Sequence, residues 1–244
     1  MQIDSLALRM RPRSAFEAAD LGARLCQGAA ASVYTCYALV VVPVIALALA
    51  SYEIAEWLPS LVLWWSKPWL DRTILFVLAR AAFGQSTAPR DLWEQQRTVW
   101  WRQLLLTWTW RRLSPWRSFT QPVYQLEGLK FWRLRPRVLQ IRRNRTGPAL
   151  LMTGTFSLAE TALAVSFGSL VFWFALPEQN LGITELLGGE GTVLADLLVP
   201  IAYSAALLFL EPFYVAAGFG MYMNRRAELE AWDVEQELRR AFAG

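Results

Sequence analysis

The chain has no histidine and only two cysteines, Cys26 and Cys36. The first absence removes the commonest general base and the commonest zinc ligand together. Two thiols are too few for a thiolate metal site. Both lie on the side read below as cytoplasmic, where a structural disulfide is not expected. Lysine is nearly missing as well, with Lys67 and Lys130 the whole supply, so a serine–lysine hydrolase would have only those two to draw on. There is no G-x-x-x-x-G-K-[ST] phosphate loop and no G-x-G-x-x-G after a strand. The carboxylates within apolar segments are spread over separate blocks rather than set at metal-ligand spacing. These gaps leave no catalytic set, and the expectation is a non-enzyme without metal or cofactor.

What is present is apolar and segregated. Hydrophobic residues make up 55% of the 244 and charged residues 18%, against about 45–50% apolar in typical globular chains. A soluble core interleaves the two kinds at helical or strand period, whereas here they fall in separate blocks. Val33 to Ala50 carries no charge and is close to the ~20 residues that cross a hydrocarbon layer as a helix. Ala48-Leu49-Ala50 would suit a signal peptidase, but the long preceding segment with Asp4, Glu17 and Asp20 is unlike a short basic leader, and the block is read as an uncleaved span. The second block, residues 57–83, is broken by Lys67, Pro68, Asp71 and Arg72. Either it crosses with its charges facing the bundle, or it bends at Pro68 and runs along the interface; an even number of crossings favours crossing. Ala149 to Leu176, interrupted by Glu160, and Val193 to Met223, with Asp196 and Glu211-Pro212, complete four spans.

Orientation follows from arginine. The connections around Glu53 and from Pro177 to Thr192 have no Lys or Arg, while residues 1–32, 84–148 and 224–244 are rich in them. Both termini and the central stretch are therefore placed in the cytoplasm of a bacterial cell. The predicted organisation is a cytoplasmic amphipathic segment (1–32), a first helical hairpin (33–83), a basic Trp-rich region (84–148), a second hairpin (149–223) and an amphipathic tail (224–244). The fold class is all-α, an integral membrane bundle of about four transmembrane helices plus interfacial or re-entrant ones.

Two groups of residues stand out. Charges at bilayer depth are costly and usually pair, face the bundle interior or line a pathway. That makes Lys67, Asp71, Arg72, Glu160, Asp196 and Glu211 the candidate intramembrane site. Glu160 and Asp196 also suit helix boundaries. Glu211 precedes Pro212, which frees a carbonyl, and the two could bind a cation or proton; alternatively Glu211 forms an ion pair with Arg72 or Lys67. The second group is the central stretch, where Arg97, Trp100, Trp101, Arg102, Arg111, Arg112, Arg117, Arg133, Arg142 and Arg143 mix cations with tryptophan. This is headgroup-layer chemistry, and the predicted role is a face for anionic lipid or a partner protein. Thr98 to Trp110 reads as a re-entrant or interfacial helix. Arg-rich aromatic stretches also bind nucleic acid, but those platforms are built on strands, and none is expected here.

At the two ends, Ser14 and Glu17 have capping-box spacing, ahead of a stripe through Ala18, Leu21 and Leu25. The segment after Arg226 is amphipathic, with Ala227, Ala231, Val234, Leu238 and Ala241 on one face. The opening Arg11-Pro12-Arg13-Ser14…Glu17…Asp20-Leu21 and the closing Glu211-Pro212-Phe213…Tyr222…Asn224-Arg225-Arg226…Leu229-Glu230-Ala231-Trp232-Asp233-Val234-Glu235 resemble a group of bacterial membrane proteins. So, more loosely, do residues 68–72 and 125–129. That group is similar to the membrane domain of glycerophosphoryl diester phosphodiesterases, and its stand-alone members are encoded beside MoxR-type ATPases and von Willebrand A-domain proteins. The resemblance implies a helical membrane module that partners such an envelope ATPase system, and it supplies no catalytic residue. Two functions are expected from these readings: a non-catalytic inner-membrane scaffold, or a small transporter using the intramembrane carboxylates.

Overall fold

A computed structural model describes residues 13–102, 104–109, 112–129, 131–174 and 193–230. Expectations for residues 1–12, Arg111, the acidic and glycine-rich connection at 177–192, and the amphipathic continuation from Ala231 lie outside the described residues. Those described are mostly helical, with no strand among them.

Helix α1 (Ala15–Gly28) starts as the sequence dictates: Glu17 donates its N–H to the Ser14 hydroxyl at 3.3 Å, and the Ser14 N–H donates to the Glu17 carboxylate at 3.0 Å. Its buried face, Ala15, Ala18, Gly22 and Cys26, shares Ala18 with the predicted stripe and leaves Leu21 and Leu25 half-buried, and α1 lies against the long last helix, α9 (Val193–Glu230). The reason is steric. A β-carbon at Gly22 would fall on the Ala216 carbonyl oxygen, and one at Gly220 on the Ala18 carbonyl oxygen. Small residues at i and i+4 on both helices let the backbones touch, as in membrane helix pairs, and the bulkier leucines would hold them apart. Burial also pushes the Cys26 thiol up to about 11, so it stays protonated at neutral pH.

The junction is pinned at its basic end. The Arg13 N–H donates to Asn224 Oδ1, and Asn224 Nδ2 donates to the Arg13 carbonyl, both at 3.0 Å. Asn224→Ala leaves both backbone groups without partners and should cost about 1–3 kcal/mol. The midpoint of unfolding in detergent measures this, and an unchanged midpoint would show that the contact contributes nothing.

Helix α2 (Ala30–Ala50) follows directly, begins three residues before the apolar block, and pairs with α3 (Leu58–Ala81) through a 3₁₀ turn at Ser51–Glu53. The second apolar block is thus one continuous helix through Pro68, not two pieces meeting at a bend. Gly84, at φ +70°, closes it in the left-handed conformation that glycine adopts without strain. After α4 (Pro89–Glu94), the expected helix over Thr98–Trp110 is instead a π-helical turn (Arg97–Trp101) and the short α5 (Leu104–Trp108). Beyond α5, Arg112 is buried, with its guanidinium 3.6 Å from the Trp64 ring centre. The chain returns as α6 (Arg117–Leu126), wedged between α3 and α9. Gln121 and Gln125 on α6 donate to the Pro68 and Arg72 carbonyls at 3.3 and 2.8 Å. Helices α7 (Phe131–Arg142) and α8 (Thr146–Phe174) then lead back, α8 packing chiefly along α9.

Among the described residues, three helices are long and apolar enough to cross a membrane: α2, α8 and α9. Helix α3, expected as the fourth span, has the length but not the composition, because Lys67, Asp71, Arg72 and Arg80 all sit on it. Lys67, Asp71 and Arg72 are covered by protein, while Arg80 is partly exposed beside Asp91. Leu39, Leu47, Leu151 and Leu158 stand exposed on α2 and α8, as lipid-facing residues do.

Candidate functional site

The helices bring four of the six predicted intramembrane residues together around one cation from the central stretch. The Lys67 ammonium is held 2.6 Å from Glu160 on α8 and 2.8 Å from Glu211 on α9. Arg117, at the first turn of α6, lies 2.9 Å from Glu211 and 2.8 Å from Asp71 on α3. The order is therefore Glu160–Lys67–Glu211–Arg117–Asp71. Every member except Glu160 is buried, and Asp71 is completely so. The Arg117 Nε–H is not aimed along its contact with Asp71, which is ionic and not a hydrogen bond. The guanidinium also lies 5.4 Å from the Tyr214 ring centre.

Two of the six residues are elsewhere. Arg72 does not pair with Glu211. Its side chain donates to the Val99 and Thr98 carbonyls and to Thr107, clamping the π-helical turn and α5 onto α3. Asp196 accepts a hydrogen bond from the Tyr52 hydroxyl at 2.7 Å near the start of α9, and so ties α9 to the α2–α3 turn.

The predicted basic face also divides. Arg97, Trp101, Arg102, Arg133 and Arg143 are exposed as expected. Trp100 is not free for lipid, because it stacks beside Trp69 and donates to the Thr73 hydroxyl at 3.0 Å. Arg142 is half-buried over Trp116, 3.7 Å from the ring centre. Arg112 and Arg117 are buried outright. Other arginines of the basic regions are consumed at the end of α9: Arg137 bridges Glu127 and Glu230, Arg145 and Arg225 hold Glu228, and Arg226 pairs with Glu230. Tyr222 joins by donating to Glu127 at 2.9 Å. Sequence reasoning left Arg117 in the interfacial stretch and gave no role to Glu127, Glu228 and Glu230. A clue to Arg117 was available, since residues 118–126 after it carry no charge, unlike the stretches on either side.

Above the network opens a cleft of about 1260 Å³ between α3, α8 and α9. Lys67, Glu160, Glu211 and Arg117 form its floor, and its walls are largely apolar, including Leu61, Phe156, Ala164, Val165, Leu198 and Val199. Among the described residues no cluster of carboxylates, thiols or histidines is arranged to hold a metal ion. Comparison with protein-family models, with curated proteins and with solved structures gives no match for this chain.

Proposed function

We propose that this protein is a non-catalytic scaffold of the bacterial inner membrane, part of a cell-envelope system, threaded four times with both termini and the central stretch in the cytoplasm. In this reading α3 crosses as the fourth helix, its charges shielded by α6 and α9, and residues 97–126 form a re-entrant hairpin. The observation that carries the proposal is the disposition of charge. The buried ionisable side chains of α3 and α9 are taken up in mutual pairs or backbone clamps, which suits a lock more than a conduit. At the end of α9, ion pairs fix α7 in place, and α7 then offers a rigid, basic, Trp-bearing surface. Trp132 is 87% exposed there.

Such a surface fits anionic lipid headgroups and an acidic partner protein, with the lipid engaging arginine and the tryptophans lying at headgroup level. The resemblance of the chain's two ends points to a MoxR-type ATPase or a von Willebrand A-domain protein as that partner. Transport is the second reading, favoured by one feature, the cleft that opens onto the paired charges.

A test is affinity purification of tagged full-length protein in mild detergent, from cells that make the ATPase and the A-domain protein. Wild type should recover one of these at stoichiometric level. Replacing Arg133, Arg135 and Arg143 together by Glu reverses charges that make no ion pair among the described residues, and should lower recovery at least about tenfold, equivalent to 1.4 kcal/mol, without changing the melting temperature. Equal recovery by the variant would refute α7 as the docking surface.

A further inference from the structure

One buried cation beside the intramembrane network, Arg112, makes no ion pair among the described residues. Arg112 lines the cleft with Lys67 and Arg117, against two carboxylates, Glu160 and Glu211. Glu160 is bound to Lys67, and Glu211 to Lys67 and Arg117. Asp71 lies behind Arg117, outside the cleft lining. Arg112 is only 7% exposed, and its Nε and Nη2 have neither a hydrogen-bond partner among the described residues nor contact with water. Its closest contact there is the face of Trp64, a weaker compensation than a paired anion for a charge taken out of water. Arg112 lines the cleft, where an anion can meet its guanidinium.

The cleft itself says what kind of anion. It exceeds the roughly 300–1,000 Å³ of sites for drug-sized molecules. Its walls beyond Arg112 are apolar along α8 and α9, through Ala164, Val165, Leu198 and Val199. A free phosphate would leave these walls unfilled. We infer that the cleft is a binding site for one anionic glycerophospholipid, with its phosphate against Arg112 and its acyl chains along the α8–α9 walls. Guanidinium suits phosphate because its planar donors match phosphate oxygens, and a zwitterionic headgroup would bring a further cation beside Lys67, Arg112 and Arg117. The site is distinct from the exposed arginines of α7, so it stands or falls independently of partner capture.

Native mass spectrometry of the full chain in mild detergent tests this, with palmitoyl-oleoyl phosphatidylglycerol or palmitoyl-oleoyl phosphatidylcholine titrated in. One phosphatidylglycerol per chain should be retained, at least about tenfold more tightly than phosphatidylcholine. Arg112→Gln should bring the two lipids level, while Arg90→Gln, on the exposed side of α4, should leave the preference intact. Ala164→Phe, on α8 and remote from the Arg112 loop, narrows the chain-binding wall and should weaken retention of both lipids, so the cleft is tested even where Arg112→Gln disturbs folding. Equal retention of both lipids by wild type would overturn the inference, as would Ala164→Phe binding like wild type. Binding of glycerol 3-phosphate as tight as that of the lipid would also overturn it, by assigning the site to a free anion.

Discussion

Arg117→Leu should cost about 3–5 kcal/mol, the range for removing one partner from a buried ion pair, and is expected to be the most damaging single change in the bundle. The charge count decides this. The five-residue network holds three carboxylates and two cations. Without Arg117, Lys67 alone faces Asp71, Glu160 and Glu211, and Asp71 loses its ion-pair partner in a fully buried position. Removing a carboxylate has the opposite effect. Glu211→Gln leaves Lys67 with Glu160 and Arg117 with Asp71, two balanced pairs, so it should be much milder. Pairing Arg117→Leu with Asp71→Leu restores the original charge balance and should regain most of the loss. Unfolding midpoints in detergent for the four proteins measure the whole pattern. Arg117→Leu melting with wild type would show that the network is not what holds α6 between α3 and α9.

The second large effect is expected at the α1–α9 crossing. Gly220→Leu sets a side chain on the Ala18 backbone, near Gly22, where no flexible neighbour can give way. Overpacking typically costs 1–3 kcal/mol, occasionally more, and this site should lie at or beyond the upper end because the obstruction is backbone. Helix α1 would come off α9 while α2, α3 and α8 stay together. Trypsin reads the difference at Arg24, which is on the exposed side of α1 but protected while the helix is docked. Rapid cleavage after Arg24 in Gly220→Leu, with wild type resistant, is the expected outcome. Equal cleavage rates would mean that α1 is not held by this contact. Gly218, one turn-face away, meets Ser118 of α6 just as closely, so two glycines of α9 set the approach of two different helices.

The sequence made much of this legible, through signals that are local. Long apolar runs marked α2, α8 and α9, and the Ser14–Glu17 spacing marked the start of α1. The cost of charge at depth pointed to Lys67 and Glu211, which do meet. The signals that failed all depended on tertiary contacts. The stripe through Ala18, Leu21 and Leu25 marked α1 as amphipathic, but not the close backbone approach to α9 that buries its alanine and glycine face. Arg112 and Arg117 belonged to a run of Arg and Trp that looked uniformly interfacial, and only the return of the chain between α3 and α9 takes them into the interior. Arg72 seemed matched to Glu211 by depth, but the carbonyls of Val99 and Thr98 reach it instead. The two terminal motifs and residues 125–129, far apart in the chain, come together through Arg13–Asn224 and Glu127–Tyr222. That convergence is invisible to any reading by segments.

Because Glu211→Gln keeps a balanced core, the same variant separates a structural lock from a conduction path. The decisive measurement is proton and monovalent-cation flux in liposomes containing wild type or Glu211→Gln, each shown to be folded by its melting curve. A lock gives wild-type flux equal to that of protein-free liposomes, unchanged in the variant. A flux carried by wild type and abolished in a folded Glu211→Gln protein would contradict the scaffold account and make the paired carboxylates part of a pathway.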